Sequence, residues 1–414
     1  MQCLITLAFY CLSTPLVADL AKQHQAYERL LLPGGRAALM GGAYTALSND
    51  PVGLLYNPGG SVFSDHNEVS VNTWSAFRSE VIYQGAIRGS DFKESSQARS
   101  GGFAGGIFKH QPFTLGYVVA SLDKRNINQD DYFADLSQDD GELKNFTRVH
   151  QESNAYDLLG ASLGVKFGSN WGLGTLIYIY DRSIESMDYQ KVEYNGGRVL
   201  TQQTKIKVSN QGMVGILGLR YKGEHWSLGL SIKRGQPVVD KSSLGFISVT
   251  QGTSDGTPQI VATTSDDYTE ENEVIPTIAR TGLAWHPIKA FLLSLDLQYS
   301  SPLVTGTTSP NRRSTLNYAL GMDTGGTLFR FLAGVYTNNS TFPRNDPNRQ
   351  QQATHLDYVG QSLGLMFLAQ SYDVTLGYVK QVGKGTSQIT TSGSKEKVSA
   401  IIEHFVVSWN FKLR

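Results

Sequence analysis

Cysteine is almost missing from this chain: of 414 residues only Cys3 and Cys11 carry a thiol. Both fall within residues 1–18, which read as a secretory signal peptide. An apolar run from Cys3 to Leu12 is followed by Ser-Thr-Pro, with the small residue Ala18 at the expected cleavage point. No Lys or Arg precedes the apolar core, and Leu16 is large for its place, so this signal departs from the usual pattern. Tyr10 stands before Cys11 where a lipoprotein would need a small residue, which excludes an acylated N-terminus. Removing the signal leaves no cysteine, and with it go disulfides, thiolate metal sites and cysteine nucleophiles. Long hydrophobic runs are also lacking: past the signal no stretch of eighteen apolar residues occurs, so no spanning helix is expected. Net charge is absent too. The 36 basic and 36 acidic side chains cancel, which gives no basis for a nucleic-acid partner.

What is abundant is glycine, with 43 residues, and tyrosine, with 20. By length the chain suits either two soluble domains or one large barrel. From about residue 67 onward the dominant period is two. In Trp226-Ser-Leu228-Gly-Leu230-Ser-Ile232-Lys one face is wholly apolar and the other small or polar. Phe291 to Tyr299 and Tyr372 to Tyr378 behave the same way. In a soluble sandwich the apolar face is the core; in a membrane barrel it meets lipid while the small face lines the lumen. Alternation alone allows both.

The turns separate them. Short turns recur at Gly168-Ser-Asn170, Lys222 to His225, His286 to Lys289, Thr324-Gly-Gly326 and Gln370-Ser371, and longer polar stretches at about 124–152, 237–271 and 338–355 lie between them. Short turns at one end and long loops at the other are a signature of outer-membrane barrels. Trp171, Trp226, Trp285, Phe291, Tyr372 and Trp409 gather at the short-turn end, where an interfacial girdle belongs. About fourteen strands are expected: 67–88 (long and bent), 101–110, 112–123, 153–168, 171–190, 197–222, 225–236, 272–286, 289–300, 313–323, 326–337, 356–368, 371–381 and 397–412. The last carries Phe405, Val407, Trp409, Phe411 and Leu413 on one face, like the strand end read by the barrel-assembly machinery, although it stops at Arg414 rather than at an aromatic residue. The fold class is therefore all-β: a transmembrane antiparallel barrel in the bacterial outer membrane, in contact with outer-membrane lipid and lipopolysaccharide.

The segment Gly35-Arg-Ala-Ala-Leu-Met-Gly-Gly-Ala-Tyr-Thr-Ala-Leu-Ser-Asn-Asp-Pro-Val-Gly-Leu-Leu-Tyr-Asn-Pro-Gly-Gly60 is rich in Gly and Ala, then passes an acidic turn to a Tyr-Asn-Pro step. Small residues permit close backbone packing, and Asn57-Pro58 favours turn initiation. The segment resembles the N-terminal hatch signature of the FadL-type outer-membrane transport family. Weaker resemblances, at Ala290 to Tyr299, Phe329 to Tyr336 and Ser362 to Tyr378, extend over most of the chain. The resemblance implies a signal peptide (1–18), a hatch inside the lumen (19–63, with a short amphipathic helix over Leu20 to Leu32) and a barrel (64–414). It implies passive transport of hydrophobic small molecules such as long-chain fatty acids, with no cofactor. Gly41, Gly42, Asn57, Pro58 and Gly59 are the candidate gating residues. Trp171, Trp226, Trp285, Tyr372 and Trp409 are the candidate interface aromatics. The outer stretch 237–271, rich in Ser, Thr and Asp, departs from the large apolar capture loops of the family. The alternative is a PorV-like barrel that scaffolds or shuttles secreted proteins.

No catalytic or metal site is expected. Gly252-Thr-Ser254-Asp-Gly256 matches a nucleophile elbow, which needs a buried strand before it and a helix after it; here it lies in a polar loop. The eight histidines form no zinc pair. In Gln129 to Glu142, Asp140 occupies the position where a calcium loop needs glycine.

Overall fold

The computed structural model describes residues 27, 31–87, 89–96, 98–134, 136, 143–195, 197, 199–251, 259–269, 275–303, 312–345, 354–387 and 396–413. The signal peptide, both cysteines, most of the expected helix over Leu20 to Leu32, the Gly252 to Gly256 motif, Asp135 and the acidic residues Asp139, Asp140 and Glu142 lie outside them.

Among the described residues, sixteen strands follow a short N-terminal segment. They are β1 (Asn67–Ile87), β2 (Ser90–Ser95), β3 (Ala98–His110), β4 (Phe113–Phe133), β5 (Leu143–Phe167), β6 (Trp171–Tyr194), β7 (Val199–Lys222), β8 (Trp226–Gln251), β9 (Gln259–Thr269), β10 (Ile278–Ile288), β11 (Phe291–Ser300), β12 (Thr315–Gly325), β13 (Phe329–Asn338), β14 (His355–Leu368), β15 (Tyr372–Ser387) and β16 (Glu396–Leu413). Each barrel strand pairs antiparallel with its neighbours. β16 closes onto β1, and β8 pairs directly with β10, so fourteen strands form a closed wall. β2 pairs only with the upper part of β1, and β9 with the upper part of β8. Closure removes the edge strands that an open sheet of this size would expose.

Side-chain parity tells the wall's two faces apart. On β7, Met213 and Leu217 point out and are about half exposed, while Val214 and Ile216 point in and are buried. The outward face is apolar from Trp171 to Ile179 on β6, then turns polar at Asp181; it turns likewise at Asp157 on β5 and Gln211 on β7. Eight residues at about 3.3 Å each span ~26 Å of strand. At a strand tilt of about 40° this is ~20 Å of height, most of a lipid-facing band of about 25 Å. A soluble protein would not expose a continuous belt of Leu, Ile and Phe of this extent. No helix among the described residues is long and apolar enough to cross a membrane; the crossing is made by strands.

The structure corrects the expected loops. Much of 124–152 and 237–271 is not loop but strand: β4 runs on to Phe133, β5 begins at Leu143, β8 reaches Gln251 and β9 follows it. Above the belt there is no lipid, so the outward face need not be apolar, and the period-two signal that marks a membrane strand fades although the ladder continues. β1 is one long strand with a bulge at Phe77, as expected, but ends at Ile87 and folds back into β2, which was not expected.

The belt supports a direct stability prediction. Leu217 lies near mid-belt, outward and 52% exposed. Leu217→Arg should lower the unfolding free energy by about 2–4 kcal/mol, as for a cation placed at the bilayer midplane. Leu217→Ala should cost distinctly less. Urea titration of the barrel refolded into vesicles measures both.

Candidate functional site

Residues 31–64 lie inside the wall and are almost entirely buried. Their local shape follows from the sequence. One helical turn, Gly35–Leu39, starts after Gly34 at φ +91 and stops at Gly41 and Gly42, whose φ values of +65 and +81 are left-handed. Two 3₁₀ turns follow, each opened by a proline behind a capping side chain. Asp50 accepts from Gly53 N at 2.8 Å at the head of Pro51–Leu55; Asn57 accepts from Gly59 N at 3.1 Å at the head of Pro58–Phe63. Tyr44 also donates its hydroxyl to Asp50, at 2.7 Å.

This segment touches every one of the fourteen barrel strands. The turn Pro51–Leu55 packs on β1 and β3. A Cβ added at Gly116 (β4) would meet Leu54, at Gly164 (β5) Ser61 and Val62, at Gly172 and Gly174 (β6) Gly59 and Pro58, and at Gly218 (β7) Asn57. Around the other half, Gly229 (β8) and Gly282 (β10) face Thr45 and Ala46, Gly321 (β12) and Gly334 (β13) face Met40 and Gly41, and Gly364 (β14) and Gly377 (β15) face Leu39. Gly35 itself abuts Ser408 on β16. Four strands place no glycine in this ring: β1, β3, β16 and β11. Of these, β11 supplies Asp296 instead, which accepts from Tyr44 N at 3.0 Å and Thr45 N at 2.8 Å. On ten of the fourteen strands the wall is thus cut back to backbone where the segment crosses it.

Polar bonds fasten the seat. Asn57 Nδ2 donates to Thr45 O at 2.8 Å within the segment and to Leu219 O at 3.0 Å on the wall. Arg36 pairs with Asp323 at 2.8 Å, Ser362 donates to Leu39 O and Ser231 to Tyr56 O, both at 2.8 Å. Of the sequence-predicted gating residues, Asn57, Pro58 and Gly59 meet at the β6–β7 wall, while Gly41 seats against Val335 and Gly334 across the lumen. Gly42 faces Leu32 of its own segment. Sequence reasoning missed Asp296, Asp323, Arg36 and the wall glycines. A faint signal was present: inward glycines recur a few residues from each short turn, as in Trp171-Gly-Leu-Gly174.

Trp171, Trp226, Trp285, Tyr372 and Trp409 all point outward and are partly exposed at the short-turn end. Trp171, Tyr221 and Trp226 form a continuous row with centroids 4.9 Å apart at each step. The fifth tryptophan, Trp74, points inward and is fully buried.

Above the belt the lumen is charged. Arg99 grips Asp123 through two bonds of 3.0 and 2.8 Å; Arg125 pairs with Glu94 and lies 3.6 Å from Glu152. Arg148 binds Asp188, and His150 lies 3.4 Å from Asp188 and 3.8 Å from Glu152. Burial opposes ionisation of Asp188 and Glu152, yet Arg148 beside the first and Arg125 beside the second outweigh it, and both carboxyls sit below their usual range. Burial likewise disfavours the His150 imidazolium, but Asp188 and Glu152 outweigh it and raise its pKa. This vestibule suits ions and dipoles, not an alkyl chain.

The apolar concavity lies elsewhere, on the outer wall. A recess of about 930 Å³ is bordered by Val71, Val119, Leu159, Ile179, Met213 and Val238, all outward and exposed. It lies at the height where bulges at Leu122 in β4 and Val238 in β8 deflect the wall.

No family model and no curated protein matches the sequence. Solved structures do match the fold. A FadL homologue of Pseudomonas aeruginosa aligns at 13% identity over 93% of this chain and 98% of that one, with a TM-score of 0.60. The toluene transporter TodX of Pseudomonas putida aligns at 12% identity over 93% and 99%, with a TM-score of 0.66. The toluene transporter TbuX of Ralstonia pickettii aligns at 10% identity over 93% and 100%, with a TM-score of 0.58.

Proposed function

We propose that this chain, a barrel with the FadL-type fold, is a bacterial outer-membrane channel for hydrophobic small molecules, with residues 31–64 as its hatch. The observation that carries this reading is the plugged lumen: a segment in contact with all fourteen strands and seated against glycine on ten of them. Similar structures include transporters of toluene, a small apolar solute. Such a solute crosses a charged vestibule poorly as an alkyl chain would, but partitions readily between an apolar recess and bilayer. The outer-wall recess is therefore the proposed exchange point with lipid.

Uptake of labelled toluene and of a labelled long-chain fatty acid, in cells with and without the gene, tests this. Toluene uptake should depend on the gene and fall several-fold in Met213→Trp, which narrows the recess. Pro58→Ala frees the first residue of the second 3₁₀ turn, loosening the hatch by up to about 1 kcal/mol. It should raise uptake by up to about fivefold. If no probe distinguishes the strains, transport is wrong. The sealed, charged lumen then favours the PorV-like scaffold reading, in which the outer strands of β4 to β9 present a protein-binding surface.

A further inference from the structure

The short-turn mouth of the lumen is electrostatically lopsided. On the β11–β16 side the cations other than the exposed turn residue Lys289 are matched: Arg36 and Arg330 share Asp323, and Lys412 holds Asp373 at 2.7 Å. On the β3–β7 side, Lys109, Lys166, Arg220 and Lys222 make no ion pair among the described residues. They converge on one ring: Lys166 Nζ lies 5.5 Å, the Arg220 guanidinium 5.1 Å and Lys222 Nζ 5.9 Å from the centroid of Phe63. Lys109 reaches the same corner, donating to Ser64 O. All four side chains point inward by strand parity, on the face where Gly164, Gly172 and Gly218 meet the N-terminal segment. Lipid headgroups outside the wall therefore do not satisfy them. Lys166, Lys109 and Arg220 are each close enough to Lys222 to repel its charge.

Solvation accounts for Lys166 and Lys222, which are exposed, but not for Arg220. That residue is 4% exposed, its Nε has no hydrogen-bond partner, and its one bond is to Leu47 O. Asp65, the carboxylate whose charge reaches both Arg220 and Lys222, is exposed and pairs with none of the four. A mouth pocket of about 450 Å³ opens beside them, lined by Arg220, Lys222 and His286 and also by the carboxylates Asp50, Asp65, Glu68, Asp323 and Asp373. Four cations from three strands, with a fork of guanidinium donors among point-charge ammonium groups, suit a multiply charged oxyanion.

We propose that this corner is a binding site for a phosphate group, presented either as a free phosphate or on a lipid headgroup that enters the mouth. The site is distinct from the hydrophobic pathway and does not require it. Because Arg220 binds Leu47 O and packs on Phe63, both within the N-terminal segment, a bound phosphate would hold that segment in its seat.

Binding to the purified full-length barrel in detergent tests this by calorimetry, with inorganic phosphate in one arm and phosphatidylglycerol-doped micelles in the other. The Lys166→Gln/Lys222→Gln double variant removes two exposed charges and should weaken binding about tenfold or more. The Lys166→Arg/Lys222→Arg variant should retain it. Loss with inorganic phosphate assigns the free anion; loss confined to the phosphatidylglycerol arm assigns the headgroup. Heat-modifiable migration on gels confirms that the variants fold. Absence of binding in both arms, or binding unchanged in the double variant, would overturn the proposal.

Discussion

Gly59→Val should open the lumen while leaving the barrel intact. A Cβ at Gly59 would lie 2.5 Å from Gly218 O and 2.8 Å from Gly172 O. Both are wall backbone atoms inside the β6–β7 ladder, so neither can yield without breaking strand pairing. The relief must come from the N-terminal segment. An overpacked site of this kind costs about 3 kcal/mol. Charged against the seated state alone, that raises the unseated population roughly a hundredfold. Single-channel conductance in planar bilayers and entry of a hydrophilic dye into cells should both rise steeply. Gly218→Val approaches the same contact from the wall, since its Cβ would lie 2.1 Å from Asn57 Oδ1, and should act alike. Gly215→Val, three residues away with nothing within 4 Å, is the matched control and should not conduct. Equal conductance in all three variants would mean that the segment is not what closes the lumen.

The second large effect is expected at Asp296→Ala. Its carboxylate accepts two backbone N–H groups of the N-terminal segment, from Tyr44 and Thr45, in a fully buried setting. Without it both donors are left unsatisfied, at about 1–3 kcal/mol each. The lower bound, roughly 2 kcal/mol, corresponds to about a thirtyfold shift toward the unseated state. Hydrogen exchange read by mass spectrometry should show the peptides covering residues 40–60 losing protection by at least that factor, with the wall strands unchanged. Asp296→Asn keeps one carbonyl acceptor and should fall between. Exchange that rises equally in segment and wall would show that Asp296 supports the barrel, not the seat.

These sites were unevenly legible. The lipid-facing strands were readable because lipid imposes a two-residue period, as in Trp226 to Lys233 or Phe291 to Tyr299. The outer extensions of β4, β5 and β8 were not, because Arg125, Arg148, Asp188 and their neighbours pair across strands above the belt, where nothing demands an apolar outward face. Their alternating charges look like a loop in one dimension. The bulge at Phe77 fell where the sequence already hinted at a break, at Phe77-Arg-Ser-Glu80, yet whether it ended a strand or bent one depended on β16 continuing alongside.

The sequence by itself determined the wall and the local form of the plug. Alternation specified lipid-facing strands, and Asp50-Pro51 and Asn57-Pro58 specified two capped turns, because each is a property of residues within a few positions of one another. Only the tertiary structure decided how the plug is held. The bond from Tyr44 to Asp296 spans 252 residues, and that from Ser362 to Leu39 spans 323. Those partners meet only once β16 has closed onto β1 and the lumen exists. A glycine in a strand reads as a weak position until the barrel shows that a second backbone lies against it.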